Sequence, residues 1–389
     1  MAVSLAYLNE ILQKDYLPGF TAQLNEESSY FYKLMEKNTA PAMGADSTFL
    51  VTYGRSQGLG NRTEGGDVPT AGAAMRKQIS VVPKNFYARI ALSDRLIKSS
   101  SGGASFINAL DQEMNEIMRD SKDSLNRQMF GDGKGVMATI ESASGSTVVV
   151  DDTKFLSVNQ RIDIVDPEDG AVTVANLVIT NVDDETNEVT FDGTATAPNG
   201  NVIVTHGAYG LEITGLGALL TPNNTIYGVD RSQNKWFNPG FKDASGLAMD
   251  DDLMELAIQR VDMKAGKQPD IIIAGYEAYR ALKNYLSQFQ RYTETATRYD
   301  AGHKTLSYDG IAVERDKYQN NTTMDFLKMD TFELMSIGQL FDYMNMDGNV
   351  LKAVSGKAMY EAILTSYAEI ACKHPGANMR ITNIKTTQA

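Results

Sequence analysis

The sequence predicts an α+β protein in which a long helix and an extended β-hairpin lead into a mixed domain, interrupted by a small all-β insertion. Three observations carry this prediction. Residues 104–130 have an uninterrupted helical pattern. Residues 47–92 contain two strand-like runs around a glycine-rich stretch. Residues 141–207 contain short alternating strands separated by turn residues.

Composition and charge limit the classes of protein that the chain can represent. The net charge of −13 argues against a general binder of duplex DNA, which needs clustered Lys and Arg. Cys372 is the single cysteine, so an internal disulfide is excluded and a reducing compartment is favoured. No stretch approaches the roughly 18 apolar residues of a membrane-spanning helix. The first residues carry charges within their apolar pattern, so we expect no signal peptide.

Residues 1–46 are expected to form an N-terminal arm with two short amphipathic helices. The first has apolar residues at helical spacing and ends before Pro18, and the second has the same spacing around Phe31 and ends before Pro41. Neither is long enough to be stable alone. Each is therefore expected to pack on this chain or on a neighbouring one.

Residues 47–92 are interpreted as an extended two-stranded hairpin with a flexible tip. Strand-like runs at 47–53 and 77–93 are rich in β-branched and aromatic residues. The stretch 54–75 between them has six glycines, and it is too polar for a core and too long for a tight turn. The alternative is a disordered surface loop. Because an isolated hairpin is barely stable in water, we expect this one to pack on another subunit.

The longest helical pattern runs from Ala104 to Phe130. Apolar residues recur at three- and four-residue steps between polar ones, so one face is predicted to be buried and the other solvated. The helix is expected to end at residues 131–133, where glycine can adopt the left-handed capping conformation. With a rise of ~1.5 Å per residue, the rod is roughly 40 Å long, which suits a broad, thin molecule.

The pattern changes at about Glu141, where an all-β segment begins. Short strand-like runs alternate with turn residues through residues 141–207, which predicts a small β-barrel or sandwich. The segment is strongly acidic and separates two parts of a mixed α/β pattern. We therefore interpret it as an insertion.

A second α+β unit follows the insertion. Helices are predicted at 250–265, where Asp residues open the helix, and at 276–289. The short apolar run 269–275 is typical of a central strand. Further strands are predicted at 310–316, 324–330, 357–372 and 378–384, with a tight turn at His374-Pro375-Gly376.

No residue pattern points to a catalytic, cofactor or metal site. The three histidines lack the spacing of a zinc motif, and one cysteine excludes a thiolate cluster. The GDGKG segment at 131–135 lacks the spacing and the hydroxyl residue of a phosphate-binding loop, so it is interpreted as a helix cap and turn. The acidic loops at 166–170 and 183–188 lack the ligand spacing of a calcium loop. The chain is therefore predicted not to be an enzyme and to bind no cofactor.

The order of six segments is more informative than any one of them. They are GGDVP (65–69), ALSDRLIKSS (91–100), SLNRQMFGDGKG (124–135), TIYGVDRSQNKWFNP (225–239), PDIIIAGYEAYRAL (269–282) and TLSYDGIAVERD (305–316). In this order and spacing, the chain resembles the major capsid protein of tailed bacteriophages. The fold of that family is shared with encapsulins and with the floor of the herpesvirus capsid. The resemblance covers the chain except for the insertion.

The resemblance implies a domain layout. Its parts are an N-terminal arm (1–46), an extended hairpin loop (47–92), a peripheral domain with the spine helix (93–140), a β-barrel-like insertion domain (141–207), a return of the peripheral domain (208–235), an axial domain (236–330) and C-terminal strands of the peripheral domain (331–389). The insertion is absent from the minimal fold, so no role is transferred to it. Its simplest role is an outward-facing decoration that stabilises local contacts or binds accessory proteins.

The resemblance also implies a structural protein that self-assembles through pentamers and hexamers into an icosahedral shell around double-stranded DNA. Its partners would be other copies in the same and neighbouring capsomers, a portal, optional decoration proteins and DNA bound without sequence specificity, with no membrane. The 46 residues of the arm are too short for the cleaved scaffolding segment of some relatives, so a separate scaffolding protein is implied. Assembly would take place in the host bacterial cytoplasm, and the product would be the virion capsid.

Nine residues of the extended hairpin are predicted to contact neighbouring subunits: Arg55, Arg62, Gly65, Gly66, Asp67, Val68, Pro69, Arg76 and Lys77. Some relatives link a loop lysine covalently to an asparagine of a neighbour. Lys77, Lys84, Asn345 and Asn349 match no motif for such a pair, so we interpret them as ordinary surface residues.

Two other functions are open. An encapsulin-like compartment would use the same fold and differ in its cargo, but encapsulins usually lack a large acidic insertion. An enzyme or carbohydrate-binding module, with the insertion as its site, is disfavoured because no catalytic pattern is present. A further hypothesis is that an acidic inner face of the shell repels packaged DNA and lets it slide during filling.

Overall fold

The computed structural model describes residues 29–38, 47–95, 104–288, 306–345, 350 and 352–385. The chain divides into two compact units and passes between them several times, the last time within one long C-terminal strand. The first unit contains Lys84–Ala218 and Leu340–Tyr367, and the second contains Asn25–Pro83, Leu219–Gln339 and Ala368–Ala389.

The described residues contain both helices and strands. The α-helices are α1 Tyr30–Leu34, α2 Ala104–Phe130, α3 Leu216–Leu219, α4 Asp251–Ala265 and α5 Tyr276–Ser287, and short 3-10 helices lie at Lys235–Phe237, Met329–Thr331 and Pro375–Ala377. The strands are β1 Glu36–Asn38, β2 Ser47–Thr52, β3 Arg76–Val81, β4 Lys84–Ser93, β5 Val136–Ser144, β6 Thr147–Val150, β7 Arg161–Val165, β8 Val172–Asp183, β9 Glu188–Phe191, β10 Val202–Thr205, β11 Thr225–Ile226, β12 Val229–Asp230, β13 Gly240–Asp243, β14 Ile271–Ala274, β15 Leu306–Tyr308, β16 Ile311–Arg315, β17 Met324–Leu327, β18 Phe332–Ser336, β19 Asp342–Tyr343, β20 Lys352–Ala353, β21 Met359–Cys372 and β22 Met379–Thr382.

The long helix α2 has the bounds that the sequence predicts, but its last turns are buried on every side. Residues 125–130 are all buried, and they include the polar side chains of Asn126, Arg127 and Gln128. The Arg127 guanidinium forms an ion pair with the Glu212 carboxylate. A Cβ at Gly215 would lie 2.3 Å from the Gln128 carbonyl oxygen, so only glycine permits this approach. The simple division into one buried and one solvated face therefore fails at this end.

The helix ends as predicted, with one difference in the cap. The Gly131 amide donates to the Arg127 and Gln128 carbonyls at 3.1 Å. Left-handed backbone occurs at Gly133 and Gly135, with φ of 81° and 84°, and not at Gly131. The Asp132 carboxylate accepts a hydrogen bond from the Lys134 amide at 2.9 Å. The GDGKG segment thus forms a turn after the helix, which confirms its interpretation as a cap and turn.

Six strands of the first unit form a closed barrel, which we call the barrel (residues 136–205). Their order is β10-β5-β6-β9-β8-β7, with the last strand returning to the first. The barrel begins at Val136, before the expected boundary at 141. Fourteen buried apolar residues fill its interior. Register shifts place extra residues in β5 and β8 and bend these strands, as the closure of a small barrel requires.

The second unit is built on a six-stranded sheet with the order β13-β22-β17-β14-β16-β15. The helices α4 and α5 pack on it through buried side chains such as Met254, Ile258 and Leu282. The predicted helices and the central strand β14 are all present. The strand β22 near the C-terminus also belongs to this sheet. It lies between β13 and β17 in this sheet.

Two further differences concern the strands near the N-terminus. The second predicted helix of the arm is present as α1, and β1, which was not predicted, follows it and pairs in parallel with β18. The first predicted helix lies outside the described residues. The predicted run 77–93 is divided at Pro83, because β3 pairs with β2 whereas β4 pairs with β21. Proline cannot donate to a strand ladder, which explains the break.

Candidate assembly surface

The hairpin of β2 and β3, with the residues between them, is the element that we call the finger (residues 47–81). Phe49 lies opposite Ile79 in its antiparallel ladder. Ile79 and Val81 are buried. The apolar side chains at the base of the finger contact Tyr227, Val229, Trp236 and Phe237 of the same unit. The ring of Tyr53 also stacks on Trp236, with centroids 4.5 Å apart and planes at 14°. The base of the finger is therefore fixed within its own chain.

Arg231 fixes the backbone of residues 219–221, in the segment that precedes the contacts of the finger. Its side chain is completely buried, and Nη1 donates to the carbonyls of Leu219 and Thr221 at 2.9 and 3.1 Å. The guanidinium lies over the Phe237 ring, 5.1 Å from its centroid. Burial lowers the pKa of Arg231 to about 10 and raises the pKa of the Cys372 thiol to about 12. At neutral pH the arginine is charged and the thiol is protonated. Arg231, in the GVDRS segment at residues 228–232, therefore has a structural role, because its guanidinium binds backbone carbonyls.

Beyond its base, the finger ends in a long loop that exposes apolar side chains. The amides of Tyr53 and Gly54 donate to the Met75 carbonyl at 3.0 and 3.3 Å, which closes the ribbon. Residues 54–74, which we call the tip loop, contain no strand. Leu59 is 75% exposed and Val68 is 85% exposed. Both side chains are therefore accessible to another molecule.

The nine predicted contact residues lie in the tip loop or at the start of β3. Arg55, Arg62, Gly65, Gly66, Asp67, Val68 and Arg76 are exposed, and Pro69 and Lys77 are partly buried. Gly65 has a φ of 76°, in a turn that the Gly66 amide closes onto the Thr63 carbonyl at 2.9 Å. Their accessibility fits a role in contacts between subunits, and that role stays a prediction.

The candidate residues for a covalent link have ordinary surroundings where they are described. Lys84 Nζ donates to the Gly210 carbonyl at 3.2 Å. Lys77 lies opposite Val51 in the finger. Asn345 is exposed, and Asn349 lies outside the described residues. Nothing here tests a link between subunits, so the interpretation of these four as surface residues stays a prediction.

The negative charge of the chain is concentrated in the barrel. Residues 136–205 contain twelve Asp and Glu and two Lys and Arg, a net charge of −10. Because the whole chain carries −13, the remaining residues carry only −3. The acidic character of the chain is thus a property of one module.

Asp163 of the barrel has a buried carboxylate that joins the barrel to the segment that leaves it. Its oxygens accept hydrogen bonds from the Asn176 amide at 2.7 Å and the Gly207 amide at 2.8 Å, and His206 Nδ1 lies 2.7 Å away. Burial acts to raise the pKa of Asp163, but these hydrogen bonds outweigh it and hold the pKa below its usual value. Sequence patterns gave no sign of this pairing, because Asp163 and His206 are far apart along the chain.

The described residues offer no grouping of three or more His, Cys, Asp or Glu side chains that could hold a metal ion. Within the same described part of the chain, no helix has the length and apolar character needed to cross a bilayer. The feature of the described residues that stands out is the finger, whose tip loop leaves Leu59 and Val68 exposed.

Comparisons with known proteins identify the fold. Neither a protein-family model nor a curated protein matches the chain. The capsid subunit of cyanophage A-1(L) matches with a TM-score of 0.59 and 10% identity over 92% of this chain and 93% of that chain. The capsid protein of a GTA particle matches with a TM-score of 0.50 and 8% identity over 91% of this chain and 89% of that chain.

An encapsulin from Synechococcus elongatus PCC 7942 also matches, with a TM-score of 0.47 and 10% identity over 92% of this chain and 89% of that chain. The two capsid matches confirm the expectation of a mixed helix and strand chain with a phage capsid fold. The chain has the fold of phage capsid subunits.

Proposed function

We propose that this protein is the major capsid protein of a tailed bacteriophage and self-assembles through pentamers and hexamers into an icosahedral shell enclosing double-stranded DNA. The observation that carries the proposal is the likeness in fold to the cyanophage A-1(L) capsid subunit, which extends over nearly the whole of both chains. The exposed tip loop supports it, because a finger of this kind supplies contact area only on another copy. On this proposal the protein is structural and has no enzymatic role.

The same proposal assigns the partners and the location. The partners are further copies of the chain in the same and neighbouring capsomers, a separate scaffolding protein, a portal, decoration proteins and packaged DNA bound without sequence specificity. The location is the virion capsid, after assembly in the host bacterial cytoplasm. The nine finger residues, from Arg55 to Lys77, are proposed to lie in contacts between subunits.

Assembly by such a chain has a simple physical basis. Heterologous contacts close into rings when the rotation between neighbours fits, and rings with matching rims tile into closed cages. Each contact can be weak, because every subunit is held by several neighbours at once and multivalency multiplies their effect. A finger that is anchored at its base by Tyr53 and Trp236 and free at its tip suits this arrangement.

The position of the charge changes the hypothesis of an acidic inner wall. If the barrel is an outward-facing decoration, it carries −10 of the −13 charges away from the DNA. The rest of the chain, which would include the inner face, would then carry a net charge of only −3. We propose this arrangement, in which the inner face of the shell does not bind DNA because it carries little net charge, and not because it repels the DNA. The surface potential of the interior of an assembled particle tests it, and a strongly acidic or strongly basic lining would contradict it.

Electron microscopy of the purified chain, alone and with a co-expressed scaffolding protein, tests the main proposal. Shells or capsomer rings are expected, and particles that take up DNA during infection would establish the viral function. Shells that enclose a protein cargo and no DNA would instead favour the encapsulin-like alternative. Monomers under every condition, including crowding, would contradict both.

A further inference from the structure

We infer that Tyr227 is a positioning residue that fixes the direction of the finger, and that it does so from a strained backbone conformation. Tyr227 lies in the two-residue turn between β11 and β12, in the same compact unit as the finger. The inference concerns the single chain. Only its consequence for assembly rests on the proposed function.

The backbone of Tyr227 is unusual for so large a residue. Its φ is 49°, and the φ of Gly228, the next residue in the turn, is 72°. A hairpin turn with positive φ at both central residues favours Asn, Asp or Gly there, because a larger side chain crowds the backbone. A tyrosine at the first position therefore costs folding free energy, and it persists only where its side chain makes compensating contacts.

The side chain of Tyr227 connects the finger to the sheet that contains β18 and β21. Its ring meets the Phe49 ring of β2 edge to face, with centroids 6.4 Å apart and planes at 80°. Its hydroxyl donates to the Ile370 carbonyl of β21. It also packs against the apolar cluster that contains Met335 of β18 and Ala371 of β21. One side chain thus contacts the finger and two strands of the sheet.

The hydroxyl of Tyr227 remains a donor over a wide range of pH. Burial raises the pKa of Tyr227 well above its usual value, and the negative charge of Glu369 adds to this effect. The hydroxyl therefore keeps its proton at neutral pH and well above it. The link from the finger to the Ile370 carbonyl is accordingly a permanent part of the fold and not a pH-dependent one.

The contact at Phe49 decides the direction of the finger because a second contact lies farther along the same strand edge. Tyr53 stacks on Trp236, four residues after Phe49. At ~3.3 Å per residue, the two contacts are about 13 Å apart. Two separated contacts fix a direction, whereas one fixes only a position. Without Tyr227, the ribbon is less restrained from turning about Tyr53, and the tip loop beyond moves most.

A second strained aromatic residue, Phe341, has the same arrangement in the first unit. Its φ is 58°, and among the described residues other than glycine the remaining positive φ values belong to Asn, Asp and Ser. The Phe341 ring meets Phe86 of β4 edge to face, with centroids 5.4 Å apart and planes at 85°. Both aromatic residues with left-handed backbone thus contact a phenylalanine on one of the strands that flank Pro83. This repetition ties the strain to the holding of these strands.

Asparagine substitutions test the inference, because Asn adopts left-handed backbone readily and removes the ring. Hydrogen exchange of the unassembled chain, measured on peptides by mass spectrometry, compares Tyr227→Asn with wild type. We expect the amides of β2 and β3 to exchange about tenfold faster or more, with the barrel and β4 unchanged. Phe341→Asn is the matched control. It is expected to speed exchange in β4 and to leave β2 and β3 unchanged.

Two outcomes of this experiment would overturn the inference. One is unchanged exchange in β2 and β3 of Tyr227→Asn. The other is a rise of similar size in every strand of the second unit, including β14 and β17, because Tyr227 would then be an ordinary core residue. Tyr227→Phe is a milder variant that keeps the ring and loses the hydroxyl. It should speed exchange in β2 and β3 by about two- to tenfold, the worth of one hydrogen bond.

Trp236 gives an independent reading of the same contact. It is the single tryptophan of the chain, and Tyr53 of the finger stacks on it. Quenching of its fluorescence by acrylamide is expected to rise about twofold in Tyr227→Asn and to stay at the wild-type level in Phe341→Asn. Equal quenching in Tyr227→Asn and wild type would show that the finger keeps its place without Tyr227, which would overturn the inference.

The yield of particles separates this inference from the proposed function. If wild-type chains assemble, the yield from Tyr227→Asn is expected to fall about threefold or more, since a less restrained finger loses more conformational entropy when a neighbour holds it. Wild-type yields from this variant would overturn the link to assembly. If wild-type chains form no particles, the proposed function fails, and the exchange measurements still decide the role of Tyr227.

Discussion

The barrel and the finger are both made of β-strands, but they differ in how their strand edges are paired and in how their apolar side chains are buried. In the barrel, each of the six strands pairs on both sides, and the apolar side chains fill one interior. In the finger, two strands pair only with each other, and the tip loop extends beyond them with Leu59 and Val68 exposed. Closure removes the open edges that invite pairing with other chains, whereas an open hairpin keeps them.

The difference shows where each element obtains its stability. The barrel buries its own apolar surface, so its free energy of folding is largely internal. The finger has a buried base at Ile79 and Val81 and a tip whose Leu59 and Val68 stay exposed in the single chain. Shortening the finger should therefore act on assembly, and damage to the barrel interior should act on folding.

The largest effect is expected from removing the tip loop. Replacing residues 54–74 by Asn-Gly joins Tyr53 to Met75 through a two-residue turn that suits a hairpin. We expect the chain to remain folded and the yield of particles to fall at least tenfold, because the contact area of the tip is lost. Circular dichroism and electron microscopy measure the two quantities. Wild-type yields of particles from this variant would show that the tip loop is not needed for assembly, which contradicts the contrast drawn between the finger and the barrel.

The second prediction concerns a buried residue of the barrel. Ile203 is completely buried, and Ile203→Ala should lower the free energy of unfolding by about 2–5 kcal/mol, since it leaves a cavity. The matched variant Val68→Ala on the tip loop should change it by less than about 0.5 kcal/mol. Denaturant unfolding of both variants checks this. Equal losses of stability would show that the tip loop is packed in the isolated chain.

The third prediction uses the depressed pKa of Asp163. A carboxylate whose pKa is lower when folded stabilises the protein above its unfolded pKa of about 3.9 and loses this contribution as the pH falls through the folded value. Asp163→Asn should therefore cost about 1–3 kcal/mol near neutral pH, where its hydrogen bonds are weakened. The gap to wild type should shrink steadily below about pH 4. Melting curves against pH measure it, and a gap that is constant down to pH 2 would contradict this account.

The smallest effect on assembly is expected from removing the barrel. Val136 and Val204 are paired neighbours on β5 and β10, so Gly135 and His206 can be joined by a short Gly-Ser link. A deletion of 141–207 would instead leave part of β5, including the buried Met137, without its partners. We expect particle yields within about twofold of wild type, with a weaker dependence on salt because most of the negative charge is gone. Failure to assemble would make the barrel a structural clamp.

Much of the fold follows from local patterns in the sequence. The bounds of α2, the helices α4 and α5 and the central strand β14 are all visible in the sequence as helical periodicity or as a short apolar run. The barrel is visible as turn spacing, although its closure is not. The break at Pro83 was readable from the residue but was missed, because the flanking runs are both strand-like.

The remaining features depend on residues that are distant in the sequence. The pairing of Asp163 with His206, the ion pair of Arg127 with Glu212 and the joining of β22 to the six-stranded sheet of the second unit have no local signal. The exposed face of α4 is another case, since Leu256 and Met263 in a sequence are indistinguishable from core residues. Only the position of each face relative to the sheet shows which apolar residues are covered.

The adjacent ends of the barrel also bear on how such a chain changes over time. Because the polypeptide enters and leaves the module at neighbouring strand positions, about 5 Å apart, one recombination event can add or remove it without moving the flanking backbone. The same junction is a natural graft point for a foreign domain whose own termini are close together. A chain with this junction can acquire a new surface domain in a single genetic step.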